Sequence, residues 1–284
     1  MAGWVLGIMG GSGLYAIDSL SDAHWVSVDT PWGKPSDELL TGTIGAVKCV
    51  FLPRHGRGHA IGPSHLNYRA NIDAMKQLGV TDLLSISAVG SLTEKFAPGD
   101  FVAIDQFIDR TFAREKSFFG DGLVAHVSMA DPVCPRLSTL AATAARAAGA
   151  RVHEGGTYLA MEGPQFSSRA ESHLYRQWGA DIIGMTAMPE AKLAREAQLP
   201  YALIAMVTDY DCWRENEAPV EVESVIAQMH SNAEKARSLV ENIARSLPAQ
   251  REVSPIDTVL EYALITDPAA RNPALLEKLK NILG

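Results

Sequence analysis

Seven consecutive residues, Tyr201 to Val207, are apolar without interruption. That length and that evenness predict a strand buried on both faces of a parallel sheet. The run then empties into Thr208-Asp209-Tyr210-Asp211, placing two carboxylates one residue apart just past the strand. Ligands of open α/β sheets bind beyond the carboxyl ends of strands, so the pair is a candidate site. An N-cap followed by a turn would use aspartates in the same way.

The rest of the chain alternates similarly. Strand-like runs are predicted over Val5 to Met9, Glu38 to Ile44, Val47 to Leu52 and Leu83 to Ile86. Others follow over Phe101 to Asp105, Gly156 to Met161 and Ile182 to Gly184. The pieces on either side of Gly45-Ala46 read as a hairpin. Helical spacing marks Asn67 to Leu78, Arg136 to Ala148, Ala170 to Trp178, Pro189 to Ala197 and the long stretch Glu221 to Leu247. Phe112 to His126 reads as a long functional or interface loop. The alternation predicts an α/β fold, a single domain over residues 1–248. The remaining residues, 249–284, form a helical tail whose Leu275, Leu276, Leu279, Ile282 and Leu283 must pack on the domain or on a neighbouring subunit.

Three strand ends carry groups suited to an anion. Val5 to Met9 runs into Gly10-Gly11-Ser12-Gly13, where glycines let amides and a hydroxyl converge. Val47 to Leu52 delivers Pro53-Arg54-His55-Gly56-Arg57-Gly58-His59, a cationic loop with a planar guanidinium suited to phosphate oxygens. Leu83 to Ile86 is followed by Ser87-Ala88-Val89-Gly90. Each segment alone is equally a turn; three on one sheet edge are harder to dismiss. Glu162-Gly163-Pro164-Gln165-Phe166-Ser167 offers an aromatic and hydroxyls as a wall for a flat ring. The glycine loop also fits the loose dinucleotide pattern over Gly11 to Ala16, with Asp29 beyond it. The following helix would be short and Asp29 enters a turn, so a redox enzyme rests on that loop alone.

Composition narrows the partners. A formal net charge of −8 without a basic block disfavours nucleic acid. The first residues lack a basic leader and no apolar run reaches a membrane-spanning length, so membrane association is not expected and the cytoplasm is. Three widely spaced cysteines, Cys49, Cys134 and Cys212, suggest neither a metal set nor a disulfide framework. Carboxylates and bound phosphate repel, so a substrate must lie between them. A nucleoside attacked by phosphate at one end and losing a base at the other satisfies that division.

The motifs Gly10-Gly11-Ser12-Gly13-Leu14, Asp29 to Asp37, Arg54-His55-Gly56-Arg57, Asn67 to Asn71 and Ala88 to Leu92 carry a resemblance. Asp105 to Thr111, Glu162 to Ser172, Met185-Thr186 and Thr208 to Trp213 extend it. The chain resembles the 5′-methylthioadenosine phosphorylase family, within the trimeric purine nucleoside phosphorylases. The resemblance implies a nucleoside phosphorylase-like mixed, twisted central sheet flanked by helices. It implies phosphate bound by Ser12, Arg54, His55, Ser87, the Ala88 amide and Thr186. Phe166, Met185 and Tyr210 would contact the nucleoside, and Asp209 and Asp211 would bind the purine and activate it as a leaving group. Ser167, Val222, Val225 and His126, the last from a neighbouring subunit, would shape the specificity pocket. The implied reaction releases adenine and 5-methylthioribose 1-phosphate, with phosphate as co-substrate and without metal or cofactor. A homotrimer is expected, or a dimer of trimers. A 6-oxopurine nucleoside phosphorylase is the alternative that the aspartates disfavour. Departures from the family pattern are Ser12 and Ser87 in place of the common threonine, Ala187-Met188 after Thr186, and the tail beyond Pro248.

Overall fold

The computed structural model describes residues 3–11, 13–14, 17–215 and 222–284. Strand β1 (Val5–Gly10) is followed by β2 (Ser21–Val26), β3 (Leu39–Ile44), β4 (Val47–Pro53), helix α1 (Tyr68–Gln77) and β5 (Asp82–Ser91). Next come β6 (Phe101–Ala103), β7 (Gln106–Asp109), α2 (Pro135–Ala147), β8 (Val152–Glu154), β9 (Thr157–Ala160) and α3 (Arg169–Gln177). The domain continues with β10 (Ile182–Gly184), α4 (Ala187–Glu196), β11 (Tyr201–Asp209) and α5 (Val222–Ser246). The short helices α6 (Pro273–Lys278) and α7 (Lys280–Leu283) lie in the tail.

All the strands among the described residues join one mixed sheet. Strand β1 is parallel to β4 and β5, and β11 is parallel to β5. The carboxyl ends of β1, β4, β5 and β11 therefore open on one edge, as the sequence predicts. The hairpin β3–β4 also forms, antiparallel with Ile44 opposite Val47.

The long apolar run works as a strand buried on both faces. Tyr201, Leu203, Ala205 and Val207 join a core with Ile72 and Met75 of α1, Leu193 of α4, and Leu279 and Ile282 of the tail. Ala202, Ile204 and Met206 join the opposite core, closed by Leu137 and Ala141 of α2 and Leu239, Val240 and Ile243 of α5. Alternate residues of one strand thus feed two layers, so neither face can be polar.

Strand β5 corrects the sequence reading. The chain does not turn after Ile86: β5 runs on to Ser91, so Ser87 and Ala88 lie within a strand. Its early residues pair β1, its last pair β10, and β11 follows it along the other side. Those backbone partners hold Ser87-Ala88-Val89-Gly90 extended where small residues alone suggest a loop. Strands β2, β7 and β8 carry no apolar run strong enough to predict them; all three pair within the sheet.

Candidate active site

Along the face of β5 that meets α4, the apolar pattern is broken by Ser85 and Ser87, two residues apart and both buried. Opposite them stand Thr186, just before α4, and Glu190 within it. Ser87 Oγ lies 3.3 Å from Thr186 Oγ1. Beneath this pair sits Arg54, 2% exposed, its amide bonded to Gly10 O at 2.9 Å. Its Nε donates to Glu190 Oε2 at 2.8 Å, and Nη2 donates to Ser85 Oγ at 2.6 Å and Met9 O at 3.1 Å. Nη1 donates to Ile86 O at 3.2 Å. Glu190 also accepts from Ser85 Oγ at 2.6 Å and Tyr201 Oη at 2.9 Å. Most of the guanidinium's donors are thus spent tying the end of β1 to the middle of β5 and to Glu190 of α4. Among the described residues, one Nη1 hydrogen is left for an anion.

His55 follows directly. Its Nδ1 lies 2.8 Å from Ile61 O, which can only accept, so Nδ1 carries the proton and Nε2 is left to a ligand. Burial, with Arg54's charge adding to it, pushes the imidazole pKa down from 6.5 to about 4, so the ring is neutral at pH 7. His59 stacks on it, with centroids 4.2 Å apart. Ser12 lies outside the described residues. Its neighbour Gly11 faces α5, where a Cβ at Gly11 would stand 3.9 Å from Met229 Cε.

At the end of β11 the register with β5 shifts between Val207 and Asp209, so Thr208 bulges and Asp209 falls opposite Gly90. The bulge re-aims the carboxylate over β5. Thr208 Oγ1 lies 2.6 Å from Asp209 Oδ2 and 3.0 Å from Val89 O. Asp209 Oδ1 accepts from the Asp211 amide at 2.7 Å. The chain turns at Asp211, whose φ of 51° lies in the left-handed region that aspartate tolerates. Asp211 is 9% exposed, and its Oδ2 is buried without a well-aligned hydrogen bond, although the buried Ser172 hydroxyl stands close enough to hold the carboxyl pKa down against burial. Such an orphaned acceptor costs about 1–3 kcal/mol unless a ligand donates to it. Burial raises the pKa of both acids above the ordinary carboxylate range, and the neighbouring Asp209 adds to the effect on Asp211. No helix begins over the described residues 210–215, so Asp209 caps none there, but the turn half of that alternative is present, since its side chain accepts from the amide two residues on.

The third wall is the loop after β9. A Cβ at Gly163 would strike Met185 Sδ at 2.5 Å, so the glycine is what lets Met185 lie on this loop. Cys212 Sγ donates to Ser167 O at 3.2 Å, and Ser167 Oγ approaches Met161 Sδ at 3.4 Å. Phe166, Ser167, Met185 and the Asp209–Asp211 turn thus share one neighbourhood, with Phe166 half exposed. Tyr210 packs under the Arg214 guanidinium, 3.3 Å from its ring centroid, and edge-on to Trp213. Val222 is exposed and Val225 half-buried, both in the first turns of α5, about two turns and one turn before Met229. His126 is exposed in this single chain, its amide bonded to Ala263 O of the tail at 2.9 Å.

Arg114 has no sequence signal that separates it from ordinary surface charge, and Glu162 stands in a motif legible only for its aromatic and hydroxyls, yet the two knit the walls together. Arg114 donates to the carbonyls of Met185, Met188 and Glu162, to Glu162 Oε1 at 3.1 Å and to Tyr68 Oη at 2.9 Å. Glu162 also accepts from Ser64 Oγ and from the amides of Phe112 and Ala113. These partners hold its pKa down at about 2 despite the opposing effect of burial, so it stays ionised. Thr186 and Met185 are therefore fixed from behind. In the same way Tyr158, fully buried, reaches the Thr186 amide at 3.5 Å across a position where only Gly184 fits.

A family profile described as the phosphorylase superfamily matches residues 5–245. The chain is 59% identical over 282 residues to an S-methyl-5′-thioadenosine phosphorylase of Cereibacter sphaeroides, covering 99% of this chain and 97% of that one. It is 55% identical to the protein of that name from Bradyrhizobium diazoefficiens, with 99% and 97% covered. A solved methylthioadenosine phosphorylase from an antarctic soil metagenomic library superposes with a TM-score of 0.94 at 45% identity, covering 100% of both chains. One from Schistosoma mansoni in complex with adenine gives 0.82 at 40% identity, covering 87% of this chain and 93% of that one. Matched over this span by the family profile and by relatives of such identity, the chain belongs to the phosphorylase superfamily.

Proposed function

We propose that the protein catalyses the phosphorolysis of S-methyl-5′-thioadenosine to adenine and 5-methylthioribose 1-phosphate. One observation carries this reading. Ser87 and Gly90 sit three residues apart on β5, one beside the Thr186 hydroxyl and the other beneath Asp209. Three residues of strand span about 10 Å, the scale of a nucleoside laid between an attacking phosphate and a purine.

At the phosphate end, the Ser12, Ser87 and Thr186 hydroxyls, the Ala88 amide, His55 Nε2 and the remaining Arg54 hydrogen would bind the oxyanion. Met185 and Phe166 would flank the ribose and base. As the C1′–N9 bond breaks, its electron pair moves into the purine, which needs a proton at N7; a phosphate oxygen then closes on C1′. Asp209, held above the usual carboxylate pKa, supplies that proton. Monohydrogen phosphate loses its own proton on becoming a monoester dianion, which restores the acid and balances the reaction. General acid catalysis of this kind contributes about 10²–10⁴-fold. The unpaired Asp211 Oδ2 accepts from a purine amino group, whereas O6 of a 6-oxopurine would oppose it acceptor to acceptor.

No metal or cofactor enters this scheme. A homotrimer completes the pocket, with His126 reaching a neighbour's site beside Val222 and Val225, and the cytoplasm is the expected compartment. No helix among the described residues is long and apolar enough to cross a membrane. Parallel assays with S-methyl-5′-thioadenosine and inosine, with and without phosphate, test the reading. Phosphate-dependent release of adenine and negligible release of hypoxanthine are expected; preferential cleavage of inosine would overturn it.

A further inference from the structure

Thr208 has one hydroxyl hydrogen and two close oxygen neighbours. Val89 O, at 3.0 Å, is a backbone carbonyl and can only accept. Asp209 Oδ2, at 2.6 Å, is at the distance of an O–H···O bond. If Asp209 is ionised, two acceptors compete for the single Thr208 proton and one of the two contacts sets oxygen against oxygen without a hydrogen. If Asp209 carries a proton on Oδ2, it donates to Thr208 Oγ1, and Thr208 donates onward to Val89 O. Both contacts are then satisfied, and the Asp211 amide still donates to Oδ1 at 2.7 Å.

We infer that Thr208 is a positioning residue that holds Asp209 as a neutral carboxylic acid in the free enzyme, through the chain Asp209 to Thr208 to Val89. The bulge is what makes this possible. The register shift between Val207 and Asp209 turns the Thr208 side chain onto β5, where it is 7% exposed and water competes little for the bond. The inference rests on Asp209 being the leaving-group acid. It adds that the acid is loaded before the nucleoside arrives.

Burial is the largest influence on Asp209 and favours the neutral form, whereas a Thr208 bond donated to Oδ2 and the Asp211 amide bond favour the carboxylate. Asp211 lies on the same turn. From α3, Glu171 and Arg169 face that turn, together with Tyr175, which Arg110 faces in turn, and Arg214 lies over the Tyr210 ring between the two acids. From the strand pairing β11 on its other side, Asp100 bonds His153 at 2.7 Å and meets the backbone of Val207. Strands β5 and β10 present Gly90 and Ile183 to Asp209, neither of them charged.

The sign of a titration shift tests the inference. A hydrogen bond made to the neutral acid raises its pKa, and one donated to the carboxylate lowers it. Infrared spectra of the substrate-free enzyme, taken as a difference between wild type and Asp209→Asn, read the carboxylic carbonyl band of Asp209 directly. That band is expected at pH 7 in the wild type. In Thr208→Val, with its isosteric methyl, the band's titration is expected to move down by about half to one pH unit, the worth of one hydrogen bond. Thr208→Ser should restore the wild-type titration, and the alkaline limb of kcat/KM should move with the band. An unmoved or upward-moved titration overturns the inference. So does a wild-type spectrum without the band at pH 7, a measurement that needs no Thr208 variant. Because these spectra require no turnover, they fail separately from the phosphorolysis assay, which alone judges the reaction.

Discussion

A Cβ added at Gly90 would stand 2.9 Å from Asp209 Oδ1. Asp209 therefore occupies its place because residue 90 of the neighbouring strand has no side chain. Gly90→Ala should leave the sheet intact and displace the carboxylate, since Ile183 Cγ2 and Asp211 Cβ close the other directions at 3.2 and 3.5 Å. A misplacement on the order of 1 Å costs about 10²-fold. A fall of that size in kcat/KM with little change in the urea midpoint is expected; unaltered kinetics would remove Asp209 from the chemistry.

Asp209→Asn replaces an acid and acceptor with an amide that donates. Adenine nucleoside cleavage should fall by about 10²–10⁴-fold, while Asp211→Asn, which turns the acceptor facing the purine 6-position into a donor, should raise cleavage of 6-oxopurine nucleosides. Comparing kcat/KM on S-methyl-5′-thioadenosine and inosine reads both effects, and an unchanged preference would contradict the base assignment.

Glu190 is completely buried and is the counter-ion of buried Arg54. Removing one partner of such a pair typically costs about 3–5 kcal/mol because the other charge is left unpaired. Glu190→Ala should show that loss in urea unfolding. It should also raise the phosphate KM more than the nucleoside KM, because β1, β5 and α4, which Arg54 ties together, carry the phosphate side.

His55 gives stability a pH dependence of definite sign. Its folded pKa of about 4 lies below the ordinary 6.5, so between these values the unfolded chain binds the proton more readily. Its contribution is present above about 6.5 and is lost as pH falls toward 4, up to about 3 kcal/mol. Urea midpoints measured from pH 7 to pH 4 should decline in the wild type and decline less in His55→Gln.

The sheet edge was legible because it follows from pattern. The unbroken run from Tyr201 and the polar residues after β4 and β11 mark one edge of the sheet for imidazole and carboxylate groups; Ser87 lies within β5 rather than past its end, and Ser12 lies outside the described residues. What lies behind that edge was not legible. Glu190 reads as one more charge in a helix, Arg114 as one more in a loop, and their roles depend on contacts with residues far away in sequence. Strand β5 was cut short because Ala, Gly and Ser imitate a turn; only pairing with β10 and β11 keeps them extended. Arg54 was legible as a cation at the right strand end, but not as one already engaged by a buried carboxylate.

The most direct test of the central claim follows phosphate into product. The purified enzyme is incubated with S-methyl-5′-thioadenosine and inorganic phosphate, and adenine, consumed phosphate and the sugar product are quantified together. Expected is one phosphate consumed per adenine released, all of the sugar appearing as 5-methylthioribose 1-phosphate, and no adenine without phosphate. Adenine release at the same rate without phosphate, with free 5-methylthioribose as the product, would contradict it.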